Sequence, residues 1–128
     1  MPTASNITIK DGANADTIFT NVQPAGGNLP AVYLGKTKGT TAASQPKLSI
    51  SSKGKNTGRE VVMTFAIPYA VVGTDGIERV VDTEFYEVRK VGPARIPASL
   101  QADGVAYVAT SLTATQIKEA FRDGYAPN

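Results

Sequence analysis

The segment KLSISSKGKNTGREVVMTFAIPYAV, residues 47–71, determines how the rest of the chain can fold. In its first arm Leu48 and Ile50 alternate with lysine and serine, which is the two-residue period of a half-buried strand. Turn-forming residues fill positions 54–58. A second arm follows, and its heavy apolar positions are Val61, Met63, Phe65 and Ile67. The segment therefore predicts two paired strands with one apolar face and one face of lysine and small hydroxyl residues.

Basic residues are concentrated around this hairpin. No Asp or Glu occurs between Thr17 and Arg59, although the net charge of the whole chain is only +2. The bases in that interval are Lys36, Lys38, Lys47, Lys53, Lys55 and Arg59. Such a face is typical of a surface for a polyanion, and RNA is the first candidate. The alternative is a solvated lysine-rich face that keeps a sheet soluble.

Length and composition limit the class of protein. The chain has 128 residues, which predicts a single domain over 1–128. It has no Cys and no His, which removes thiol chemistry, disulfides, the usual zinc sites and a histidine base. We therefore expect no metal and no cofactor. The first residues lack the pattern of a secretory signal, and no apolar run is long enough for a membrane helix, so we expect synthesis in the cytoplasm and no membrane partner.

Alternating apolar residues predict further strands on both sides of the hairpin. An N-terminal hairpin is expected within 1–23 and a sheet within 31–91, ending in a long strand over 77–91. Pro68 cannot donate a ladder hydrogen bond, so it predicts an edge, a bulge or the end of regular pairing.

The composition changes to a helical segment over 97–128. Residues 99–112 are a helix candidate, although 105–109 could also form a strand. A second helix is predicted over 114–123, with Thr113 opening a capping box and Gly124 as the C-cap. The fold class is therefore α+β, an antiparallel meander of about six strands followed by one or two C-terminal helices. Two short helices cover such a sheet poorly, which favours a dimer whose helices cross onto the partner's sheet.

Catalytic motifs are not found in the sequence. Residues 54–58 resemble a phosphate loop only superficially, because the spacing differs and no helix follows. Asp82, Glu84 and Glu87 could be proposed as catalytic carboxylates, but we interpret them as solvated strand residues that pair with neighbouring bases. We do not expect an enzyme.

The order of elements resembles that of the coat proteins of small single-stranded RNA bacteriophages of the levivirus type. The resemblance spans nearly the whole chain and includes the ending AFRDGYAPN, residues 120–128, with Asn128 where that family often has an aromatic residue. It implies an interlocked homodimer with a continuous sheet, assembled into the icosahedral shell of a virion. It also implies that the inner face of the sheet binds a stem-loop of the genomic RNA and thereby represses replicase translation.

The resemblance also assigns roles to individual residues. It implies that Ser49 and Ser51 contact bases and that Lys47 and Lys53 contact phosphates. The other residues predicted to bind RNA are Arg59, Val62, Thr64 and Tyr86.

Four further details accompany this resemblance. Thr64 stands where that family often has a lysine, and Tyr86 would stack on a base while Phe85 faces the core. Glu84 on the same face would repel phosphate. The turn Gly73, Thr74, Asp75 and Gly76 corresponds to the loop through which neighbouring dimers meet.

Two other functions remain open from the sequence. A small dimeric RNA-binding regulator would need the same basic face but would form no shell. A fibre or pilin-like subunit is disfavoured, because the chain shows neither a signal peptide nor a cysteine.

Overall fold

The computed structural model describes residues 3–127, without the side chain of Lys55. It has one six-stranded antiparallel sheet in the order β1-β2-β3-β4-β5-β6, followed by two helices. The strands are β1 (Ile7–Lys10), β2 (Asp16–Gln23), β3 (Ala31–Leu34), β4 (Lys47–Lys55), β5 (Gly58–Val72) and β6 (Glu78–Pro93), and the helices are α1 (Ala98–Ser111) and α2 (Thr115–Asp123). The predicted α+β meander is confirmed.

The chain divides into two compact units, Met1–Gly92 and Pro93–Asn128. The first unit holds the sheet and the second holds both helices. The single domain expected over residues 1–128 stays a prediction. Asn128, which the sequence comparison placed at the family's aromatic position, lies outside the described residues.

The β4–β5 hairpin has a shorter turn than the sequence predicts. Lys55 pairs with Gly58, so only Asn56 and Thr57 connect the strands. The register then continues without a shift to the pair Lys47 and Ala66. Pro68 lies beyond that last pair, so its missing N–H costs no hydrogen bond to β4, and β5 continues through it to Val72.

The core lies on one face of the sheet. Leu48 is 2% exposed and stands in register with Tyr33 on one side and Phe65 on the other. Phe65 also meets Phe19 edge to face, with ring centroids 6.0 Å apart. Ile7, Ile9, Ile50 and Met63 are partly buried around this cluster. We call this side, which carries Leu48 and Phe65, the apolar face.

The two helices agree with the prediction except at the start of α2. Helix α1 is continuous over Ala98–Ser111, which decides against a strand over 105–109. Gly124 is the left-handed C-cap of α2, as predicted. The capping box is wrong, because Ala114 is the N-cap and the Thr113 hydroxyl donates to the Thr110 carbonyl. That bond belongs to the turn that ends α1.

Truncation of Leu48 should be the most damaging single change in this core. We expect Leu48→Ala to destabilise the folded chain by about 2–5 kcal/mol, because the cavity cannot collapse between two flanking strands. Leu29→Ala is the matched control, since Leu29 is 62% exposed and should change little. Urea denaturation at a fixed protein concentration measures both, and equal midpoints for the two variants would contradict the assigned core.

Candidate nucleic-acid interface

The side chains opposite the apolar face form the candidate interface. Ser49 pairs with Thr64, and Ser51 pairs with Val62. Lys47 and Lys53 extend this row on β4, because residues two apart on a strand share a face. We call this side, which carries Ser49 and Thr64, the polar face. The structure thus brings together six of the eight residues that the sequence assigns to RNA: Lys47, Ser49, Ser51, Lys53, Val62 and Thr64.

Arg59 does not join this row. It pairs with Gly54, and the unbroken register places it on the same side of β5 as Met63 and Phe65. It therefore lies at the turn end of the apolar face. The assignment of Arg59 to the RNA-binding side is wrong, because counting along β5 from Val62 and Thr64 already excludes an odd-numbered residue.

The side-chain direction of β6 is the reverse of the prediction. Phe85 lies beside Lys47 and Ala66, which are on the polar face. Tyr86 instead borders a cavity with Phe19 and Phe65, which are on the apolar face. The placement of Tyr86 on the RNA side and of Phe85 in the core is therefore wrong.

The aromatic side chain on the polar face is consequently Phe85, which is 69% exposed. Glu84 accepts a hydrogen bond from Tyr86, and this bond, with burial, raises the pKa of the Tyr86 hydroxyl. Since Glu84 lies with Tyr86, the predicted repulsion of phosphate by Glu84 on the polar face does not arise. The sequence did not identify Phe85, because the alternation of the strand is satisfied whether Phe85 or Tyr86 faces the core.

Two carboxylates reach the polar face from outside the basic segment. Glu60 pairs with Lys53 across the β4–β5 ladder and is bound by Arg89. Arg89 also binds Glu87, with Nη2 3.0 Å from Oε1. The basic character that the sequence shows between Thr17 and Arg59 is therefore partly neutralised in the folded sheet. Nothing in the local sequence indicates this pairing, because Glu60 and Arg89 are far apart in the chain.

A cavity of about 510 Å³ opens on the apolar face. Ile9, Thr17, Phe65, Ile67 and Tyr86 are among its lining residues. The Thr17 hydroxyl is buried there and finds no hydrogen-bond partner among the described residues. A buried hydroxyl without a partner is destabilising, because its lost hydration is not replaced.

The turn between β5 and β6 is held by its own hydrogen bonds. Asp75 accepts from the Ile77 N–H at 3.1 Å and from Arg79 Nη2 at 2.7 Å. The Arg79 hydrogen bond lowers the pKa of Asp75. A methyl group added at Gly73 would approach Asp75 Oδ1 to 2.8 Å, so the Asp75 side chain would have to shift. The predicted inter-dimer loop is thus a compact turn with a defined shape.

Residues 39–46 lead into β4 and are anchored to the start of β6. Glu78 accepts hydrogen bonds from the Thr40 hydroxyl and from Ser44 Oγ, the latter at 3.1 Å. The pKa of Glu78 is lowered from its ordinary value of 4.5, chiefly by the Thr40 hydrogen bond. This anchor ties the segment before β4 to the first residue of β6.

Two other kinds of feature are absent from residues 3–127. No group of three or more acidic, His or Cys side chains is placed there to hold a metal ion. Within the same range, no helix has the length and apolar character needed to cross a membrane.

Comparisons with protein-family profiles and with curated protein sequences find no match. Solved structures do match over the full chain. The virus-like particle of bacteriophage NT-214 has a TM-score of 0.86 and 21% identity, and the match covers 99% of this chain and 100% of that one. The bacteriophage EMS014 coat protein has a TM-score of 0.83 and 14% identity, with 99% and 100% covered. The bacteriophage GA protein capsid has a TM-score of 0.75 and 13% identity, with 95% of each chain covered. The chain therefore has the fold of bacteriophage coat proteins, and the resemblance noted in the sequence is confirmed at the level of the fold.

The Glu78 anchor should make stability depend on pH. A carboxyl whose pKa is lowered on folding stabilises the folded chain above its unfolded-state pKa, and this contribution is lost as the pH falls through the lower folded value. We expect the urea midpoint of the wild type to fall as the pH drops below about 4.5. Glu78→Gln should lower the midpoint at neutral pH and make this acid-dependent fall smaller. Asp103→Asn, an exposed control on α1, should leave the curve unchanged, and an identical response of the two variants would contradict the anchor.

Proposed function

We propose that this chain is the coat protein of a small single-stranded RNA bacteriophage. Its role is structural and non-catalytic, and it self-assembles as dimers into an icosahedral shell. The carrying observation is the fold match to the NT-214 particle, which covers 99% of this chain and 100% of that one. The match extends over both the sheet and the two helices, so it supports a structural role for the whole described fold.

An obligate homodimer would complete the burial that one chain lacks. No residue of α1 or α2 is buried among the described residues, although Leu100, Val105, Val108 and Leu112 are large apolar side chains of this segment. Val105 and Val108 of α1 and Leu112, its C-cap residue, recur at helical spacing and share one side. The apolar face of the sheet meanwhile has an open cavity and an unpartnered hydroxyl. Helices of one protomer covering the partner's sheet would satisfy both surfaces, over more than about 2,000 Å².

Strand β6 would join the two sheets. It is the last strand in the order and is 16 residues long, so its outer edge offers a long row of backbone donors and acceptors. Exposed edges of this length are usually paired or covered in stable proteins. Pairing of β6 with the partner's β6 would make one continuous sheet.

Contacts between dimers would use the end of the β5–β6 hairpin. Gly73, Thr74, Asp75 and Gly76 form its turn, and Tyr69, Val72 and Ile77 beside it are 62%, 64% and 55% exposed. A firmly held turn flanked by exposed apolar side chains fits a repeated protein contact better than a solvated loop.

The polar face would bind the genomic RNA inside the shell. Lys47 and Lys53 would neutralise phosphates, while Ser49, Ser51, Val62 and Thr64 would contact bases. Phe85 takes the stacking role first assigned to Tyr86, because it is the exposed aromatic on this face. Stacking of a base on an aromatic ring is worth about 1–3 kcal/mol and tolerates any base. Binding of a stem-loop by this face would repress replicase translation, and assembly in the bacterial cytoplasm would place the protein in the virion.

Expression of the chain alone in a bacterium tests this function. We expect electron microscopy of the purified protein to show closed particles, and extraction of the same fraction to yield RNA. Binding of RNA by the unassembled protein should weaken as salt rises, because phosphate contacts release counterions. A protein that stays dimeric in every buffer would contradict the shell and favour a dimeric RNA-binding regulator, while particles without nucleic acid would contradict the RNA-binding role.

The dimer makes a separate prediction on α1. Val108→Asp should shift the protein from dimer to monomer or aggregate, because it places a charge in the proposed contact with the partner's sheet. Ala106→Asp is the matched control, since it puts the same residue on the opposite side of the same helix. Analytical ultracentrifugation distinguishes them, and equal dimerisation of both variants would refute the proposed role of α1.

A further inference from the structure

Arg89 is held by two carboxylates of different character. Its Nη1 binds Glu60, while Nε and Nη2 lie 3.1 and 3.0 Å from Oε1 of Glu87. The Glu60 side chain is 11% exposed, whereas those of Arg89 and Glu87 are 50% and 51% exposed. The arginine therefore binds one nearly buried carboxylate, Glu60, and one exposed carboxylate, Glu87.

These two contacts differ in how readily they can be exchanged. A nearly buried carboxylate needs its counter-charge, so Glu60 keeps Nη1 of Arg89 in place. An ion pair between exposed groups is weak and is screened by salt, so Glu87 holds the other side of the guanidinium only loosely. That side presents two parallel N–H donors, a geometry that fits phosphate oxygens as well as carboxylate oxygens.

The position of Arg89 on the polar face suggests which anion competes with Glu87. Glu60 stands in register with Lys53, so Lys53, Glu60 and Arg89 form a row across β4, β5 and β6. Because neighbouring strands are about 5 Å apart, a phosphodiester backbone that reaches Lys53 can also reach Arg89. The solvent side of Arg89 is therefore within the proposed path of RNA.

We propose that a phosphate of single-stranded RNA displaces Glu87 from Arg89, so that Arg89 is a phosphate-binding residue which Glu87 restrains. This inference rests on the proposed RNA-binding function of the polar face. Glu60 holds the guanidinium in place throughout, and only the exposed contact changes. The restraint weakens RNA binding. It also makes binding less dependent on salt than the number of basic side chains on the polar face would suggest.

Glu87→Gln tests the restraint directly. Binding of a fluorescent oligo-uridine to the full-length unassembled protein is measured by anisotropy over a series of salt concentrations. One additional phosphate contact to a single strand steepens the slope of log K against log salt by about 0.7, which corresponds to about fivefold tighter binding at 0.1 M salt. We expect that change for Glu87→Gln. Glu84→Gln, three residues away on the apolar face, is the matched control and should bind like the wild type.

A second background separates release of Arg89 from simple loss of a negative charge. In a Glu60→Gln, Arg89→Gln variant, which removes both members of the nearly buried pair together, adding Glu87→Gln should bring no gain. An equal gain in that background would overturn the proposal, because Glu87 would then act by repulsion alone. Unchanged binding of Glu87→Gln to RNA that the wild type does bind would also overturn it. A wild type that binds no RNA at low salt would instead overturn the proposed RNA-binding function, and this inference with it.

Discussion

The pairing of β4 with β5 is the constraint on which the rest of the structure depends. A two-residue turn at Asn56 and Thr57 sets the register, and nine consecutive pairs follow it without a bulge. Since side chains alternate across a strand, this register decides which residues of β4 and β5 lie on the apolar face and which lie on the polar face. A slip of one residue would exchange Leu48 for Ser49 and destroy both faces together.

A single-layered sheet places a second demand on the chain. One face can be covered only in part by its own side chains, and Leu48 is the most deeply buried large side chain described. A cavity opens beside Tyr86 on this face, and large apolar side chains of α1 are exposed as well. In the proposed coat dimer, association would bury this apolar surface, and folding and association would then be coupled.

Charge is distributed by the same geometry. The basic segment around β4 supplies Lys47 and Lys53 to the polar face, but β5 and β6 return the carboxylates Glu60 and Glu87 to it. In the proposed coat protein this face would hold a long RNA of varied sequence, for which moderate and exchangeable contacts are suited. In the proposed arrangement, the ion pair of Arg89 with Glu87 moderates a basic surface without removing its basic side chains.

The sequence by itself determined the meander, the apolar and polar sides of β4 and β5, the C-cap of α2 at Gly124, and the resemblance to phage coat proteins. These features depend on local alternation, turn residues and capping, which act over a few neighbouring positions. Only the tertiary structure decided the direction of β6, where Phe85 and Tyr86 fit either face equally well by pattern. It also decided the ion pair of Glu60 with Arg89 and the exclusion of Arg59 from the polar face. These outcomes depend on which residues become neighbours across strands, and residues distant in sequence carry no local signal of that contact.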